Sequence, residues 1–136
     1  MKLEHIGIAV NNLEVSNQLF SRLFNAAPYK EEEVASEQVK TSFFRTGHSK
    51  IELLAATGPE SPIAKFIEKK GEGIHHMAFE VEDIHAEMER LQKEGFQLIN
   101  QAPKKGADNK LVCFLHPKGT NSVLIELCME IPTPQS

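Results

Sequence analysis

Two short runs far apart in the chain carry apolar residues at a period of two: residues 3–10 (LEHIGIAV) and 74–81 (IHHMAFEV). That period marks strands, because successive side chains of a strand point to opposite faces. Each run ends in a polar pair, Asn11-Asn12 or Glu82-Asp83, and the apolar spacing then lengthens to that of a helix. Asn12 and Asp83 are predicted N-caps, since a short polar side chain can accept from the orphaned N–H groups of a first helical turn. Behind them Leu19, Phe20, Leu23 and Phe24 form the apolar stripe of one helix, and Ile84, Met88 and Leu91 that of another. Strand-like segments follow at 39–46 and 50–55 in the first half, and at 111–116 and 123–128 in the second.

The chain is therefore written twice, each time as strand, helix, then two or three strands. A period near 70 residues exceeds that of solenoid repeats and points to two homologous half-domains of α+β class around one core. We expect a single domain with module one at about 1–56, a connector helix within 57–73, module two at 74–129 and a tail at 130–136. Ser61-Pro62 supplies the connector helix with an N-cap and a first-turn proline, and Gly71 and Gly73 supply its stop. The tail from Ile131 to Ser136 is expected to fray.

Parity separates the two faces of each strand. Ile6, Ile8 and Val10 form the seat of the first helix, leaving His5, Gly7 and Ala9 on the other face. In the duplicate, Met77, Phe79 and Val81 face the helix, so His76, not His75, matches His5. Ile51 and Leu53 bracket Glu52, and Ile125 and Leu127 bracket Glu126, so both carboxylates point away from the helix-packed face. Each half thus offers one His and one Glu. Two neutral imidazoles and two carboxylates balance a divalent cation and suit Zn, Co, Ni or Mn. In an octahedral ion, four such ligands leave two positions open.

Composition narrows the function. Fifteen Lys and Arg against 19 Asp and Glu give a net charge of −4, which excludes a diffuse grip on nucleic acid. No window has the roughly 18 apolar residues of a membrane span, and the N-terminus lacks a signal-peptide pattern. Cys113 and Cys128 read as reduced core thiols, and a cytoplasmic location is expected. Among the other histidines, His48 falls in a turn, His85 on a helix face and His75 on the helix-packed side, while His116 opens a turn where it can line a cavity rim. Lys104, Lys105, Lys110 and Lys118 cluster along the loops of module two, either as a solvated basic face or as contacts for a phosphate or carboxylate.

These residues resemble a known family. LEHIGIAV, GIHHMAFEV (73–81) and VLIEL (123–127) are similar to the paired βαβββ modules of the vicinal oxygen chelate superfamily, which holds glyoxalases, extradiol dioxygenases and antibiotic-resistance proteins. Over nearly all of 3–129 the chain most resembles the methylmalonyl-CoA epimerases. The most specific stretches are GIHHMAFEVEDI (73–84), the loop at 103–107 and FLHPKGTNSVLIEL (114–127).

The resemblance implies a curved, half-barrel-like mixed sheet with a metal cavity, His5, Glu52, His76 and Glu126 as metal ligands, and a homodimer. It also implies interconversion of the C2 epimers of methylmalonyl-CoA through an enediolate, with Glu126 as one proton-transfer group. Lys104, Lys105, His116 and Lys118 would meet the acyl-CoA. Two features depart from the family: residues 39–43 lack the third-strand glutamate of some epimerases, Glu37 lying only at the strand entrance, and Thr120-Asn121-Ser122 replace a Gly-rich turn. A lactoylglutathione lyase, with the same ligand set, and a metal-free binding protein of the superfamily are the alternative readings.

Overall fold

The computed structural model describes residues 1–132. The first half runs β1 (Lys2–Ala9), α1 (Leu13–Phe24), β2 (Lys30–Val34), β3 (Val39–Thr46) and β4 (Ser49–Ala56). After α2 (Pro62–Lys70), the second half repeats the order as β5 (Gly73–Glu80), α3 (Ile84–Lys93), β6 (Lys104–Lys105), β7 (Lys110–Leu115) and β8 (Ile125–Glu130). The pairing is duplicated as well. β1 lies parallel to β4, β3 antiparallel to β4 and β2 antiparallel to β3, while β5 lies parallel to β8, β7 antiparallel to β8 and β6 antiparallel to β7. Both halves are thus mixed in strand direction and belong to the α+β class.

The described residues form two units, His5–His76 and Met1–Glu4 together with residues 77–132. In the first, Val10, Phe44, Leu53 and Ala55 are buried under Ile8, Leu13, Phe20 and Phe24, as the parity of β1 predicts. Leu53 is fully buried, so truncation to Ala removes packing worth about 2–5 kcal/mol. A separate group of Ala9, Leu54 and Ile63 packs with Phe66 and Ile67 of α2. In the second unit Val81, Ile84, Met88, Leu91, Leu98, Cys113, Leu115 and Leu127 form the core under α3, and Ala78, Val112 and Cys128 pack with Phe114 on the other face.

The caps stand where the sequence puts them. Asn12 Oδ1 accepts from Val15 N at 3.0 Å, Asp83 Oδ1 from Ala86 N at 3.1 Å and Ser61 Oγ from Ile63 N at 3.1 Å. Gly71 ends α2 at φ 77°.

Several expectations are corrected. Only Phe20 and Phe24 of the predicted stripe on α1 pack inward; Leu19 and Leu23 are exposed together with Val15. Four apolar positions on two turns cover more of a helix than one seat can bury. The last strand begins at Ile125, two residues later than expected, because Asn121 and Ser122 take the left-handed turn region at φ 55° and 69°. β2 (KEEEV) has no apolar alternation and gave no strand signal. Nor is the His5 face bare, since α2 covers its Ala9 and Leu54 end. At the C-terminus, Ile131 N still donates to Asn109 O at 3.1 Å, and the rest of the expected frayed tail, 133–136, lies outside the described residues.

Candidate functional site

His5 and Gly7 alternate along β1, and the parallel register sets Gly7 beside Glu52 of β4. His5 and Glu52 therefore share a face. His76, in β5, reaches the same place: its Nε2 lies 3.0 Å from Nε2 of His5, with the two rings perpendicular and their centroids 5.1 Å apart. Glu52 Oε2 lies 3.0 Å from Nδ1 of His5, so it meets that ring on the side away from His76. His5, Glu52 and His76 are each about 5% exposed. Buried groups of this polarity are kept by mutual hydrogen bonding or by a metal.

Room for the imidazole of His76 comes from Gly7. A β-carbon at Gly7 would collide with Cε1, Nδ1 and Nε2 of that ring. The glycine is needed for close approach here, not for a special backbone angle.

His75 adds a contact that parity did not foretell. Its Nδ1 is 2.9 Å from Nδ1 of His76, and its ring stands edge-on to Phe66 of α2 with centroids 4.9 Å apart. The expected seat on the helix-packed face of module two, under α3, is replaced by this packing against α2. The adjacent pair of histidines was the available signal. Burial lowers the pKa of His75 to about 4. That of His76 is held well below the ordinary value, first by burial and then by the neighbouring His5 and His75. Both rings are neutral near pH 7.

In the second unit Glu126 is buried on β8, opposite Ala78 of β5 in register. Ala78 follows His76 by two residues and so shares its strand face. Glu126 thus occupies the duplicate of the Glu52 position.

The other candidates spread out. Lys104 and Lys105 are exposed on the short β6, and Lys118 is exposed in the 3-10 turn Pro117–Gly119. His116 opens that turn, its Nδ1 accepting from Lys118 N at 3.1 Å. Lys110 departs from the basic cluster: it is buried, with Nζ 3.8 Å from Glu130 Oε1. Along β3 the residue in line with Leu54 is Thr41, and Glu32 of β2 lies opposite it in register, a carboxylate on a strand that the sequence did not announce. Glu37 sits in the 3-10 turn Ala35–Glu37. His48 and His85 are exposed. No helix among the described residues is long and apolar enough to cross a membrane.

Comparison with known proteins shows the family of the chain. Residues 4–114 match the model of the glyoxalase/bleomycin resistance protein/dioxygenase superfamily. The chain is 42% identical to the mitochondrial methylmalonyl-CoA epimerase of Dictyostelium discoideum, over 93% of its own length and 76% of that protein's. It is 40% identical to the ethylmalonyl-CoA/methylmalonyl-CoA epimerase of Cereibacter sphaeroides, over 93% and 96%. The crystal structure of methylmalonyl-CoA epimerase from Mycobacterium tuberculosis superimposes with a TM-score of 0.91 at 32% identity, covering 96% of this chain and 89% of that one.

Proposed function

Because the chain belongs to the glyoxalase/bleomycin resistance protein/dioxygenase superfamily, we propose that it is an isomerase interconverting the two C2 epimers of methylmalonyl-CoA, with a divalent metal held by His5, Glu52, His76 and Glu126. The two βαβββ modules act in this reading as one domain. The facing Nε2 atoms of His5 and His76 carry it. Two nitrogens about 2.1 Å from one ion and at right angles to each other stand about 3.0 Å apart, and the observed separation is 3.0 Å. Both rings are buried, Glu52 meets His5, and the His76 imidazole is neutral, as a ligand must be. Glu52, through its contact with His5 Nδ1, keeps Nε2 of that ring turned toward His76, and Glu126 stands at the duplicate of the Glu52 position. Co, Zn, Ni and Mn all suit this donor set.

A divalent metal held by His5, Glu52, His76 and Glu126 would supply Lewis-acid chemistry that lowers the pKa of the C2 proton. The chain supplies the proton traffic. A buried carboxylate at Glu126 takes the proton from one face of C2 or returns it there, since low exposure keeps bulk water from competing. The exposed ammonium groups of Lys104, Lys105 and Lys118, with His116 beside them, suit the phosphates of an acyl-CoA. A homodimer belongs to the same reading; the exposed stripe of Val15, Leu19 and Leu23 on α1 favours it, and sedimentation measures it. So does a cytoplasmic location, with which two unbridged cysteines are consistent.

The test is deuterium incorporation at C2 of methylmalonyl-CoA in heavy water, with and without chelator, beside Glu126→Gln. Metal-dependent exchange accompanied by epimerisation and lost in the variant is expected. Absence of exchange with every divalent metal tried would overturn the reading.

A further inference from the structure

We propose that His75 is a positioning residue for His76, fixing which ring nitrogen of His76 is available to a metal; this rests on the metal reading above. The observation is an unbroken file of contacts. His75 Nδ1 meets His76 Nδ1 at 2.9 Å, His76 Nε2 meets His5 Nε2 at 3.0 Å, and His5 Nδ1 meets Glu52 Oε2 at 3.0 Å.

Proton placement along this file is determined from one end. A carboxylate only accepts, so His5 Nδ1–H donates to Glu52 and His5 Nε2 is left as an acceptor. His76 Nε2–H then donates to His5, and His76 Nδ1 in turn accepts from Nδ1–H of His75. A metal needs the lone pair on Nε2 of His76, so the proton of that ring must stand on Nδ1 instead. In that state His76 Nδ1–H must donate, and Nδ1 of His75 lies within reach to accept it. A neutral imidazole can reverse its part by carrying its own proton on Nε2. A Lys or Arg could only donate and a carboxylate could only accept, so neither could serve both states.

The placement of His75 supports this role. Its ring is half-buried and held edge-on by Phe66, while Gly7 leaves the other side of His76 open for the ring to seat. The outer partner of a metal-binding histidine typically contributes 10–100-fold in metal affinity.

The experiment titrates Co2+ into the chelator-stripped wild type, His75→Phe and His75→Asn by calorimetry, and records the imidazole 15N shifts of His76 in the zinc-loaded wild type. Phe keeps the ring that packs on Phe66 but offers no acceptor; Asn keeps an acceptor through Oδ1. Expected are a roughly 10–100-fold weaker Kd for His75→Phe, a smaller loss for His75→Asn, and a protonated Nδ1 on His76. Equal affinity of wild type and a folded His75→Phe overturns the proposal and leaves the metal site standing. So does a zinc-loaded wild type with Nδ1 of His76 unprotonated, a readout that does not depend on any variant folding. A wild type that binds no stoichiometric metal overturns the metal reading first, and this proposal with it.

Discussion

Gly7 lies against the imidazole of His76, with no space between them for a side chain. Gly7→Ala must therefore displace the ring or bend β1. Overpacking of this kind costs about 1–3 kcal/mol. The expected outcome is a folded protein whose Kd for Co2+ is weakened at least tenfold and whose melting temperature falls. Unchanged metal affinity in Gly7→Ala would show that His76 is not held from this side.

Acidification should destabilise the metal-stripped protein below pH 6.5. Burial lowers the His75 pKa from 6.5 to about 4 and holds that of His76 well below its ordinary value, so between pH 4 and 6.5 the unfolded chain binds more protons than the folded one. Stability then rises with pH through that window and is fully present above 6.5. For His75 alone the loss on going from pH 6.5 to 4 is at most about 3 kcal/mol. Urea unfolding at a series of pH values checks it, and His75→Phe should flatten the slope.

Both cysteines should resist thiol reagents in the native state. Cys113 and Cys128 are buried, and burial raises both thiols above their ordinary range, with nearby Glu126 and Glu4 adding to the effect at Cys128. The thiolate is the reactive form. Ellman's reagent at pH 8 should report almost no free thiol until denaturant is added, and then two per chain.

Replacing Ser122 by glycine should stabilise the protein. Ser122 holds φ 69° next to Asn121 at 55°, a region where a non-glycine side chain costs about 1–2 kcal/mol. The greater freedom of glycine in the unfolded chain offsets part of that gain. A net increase of about 0.5–1 kcal/mol, read as a higher urea midpoint, is expected.

Much of this was legible because it was local or repeated. Asn12, Asp83 and Ser61 announce their helices by chemistry that acts within three residues. The duplicate settled His76 over His75 as the match of His5, a choice that one strand alone could not make. What escaped depended on partners distant in sequence. The helix α2 covers Ala9 and Leu54, which parity had left open, and only its packing shows that His75 turns toward Phe66. Lys110 reads as part of a surface cluster until β7 is paired with β8, where it stands opposite Glu130. The departure at 39–43 was visible, but not the glutamate that β2 sets across from Thr41, because a strand with three consecutive carboxylates has no apolar period to detect.

That same strand protects the molecule from its neighbours. β2 ends its row, so one of its sides carries backbone donors and acceptors that β3 does not use. A flat apolar edge in that position would recruit another chain and start aggregation. Glu31, Glu32 and Glu33 alternate across both faces, so a second β2 laid alongside would bring carboxylate against carboxylate. The charge that hides β2 from a hydrophobicity scan keeps the sheet from growing.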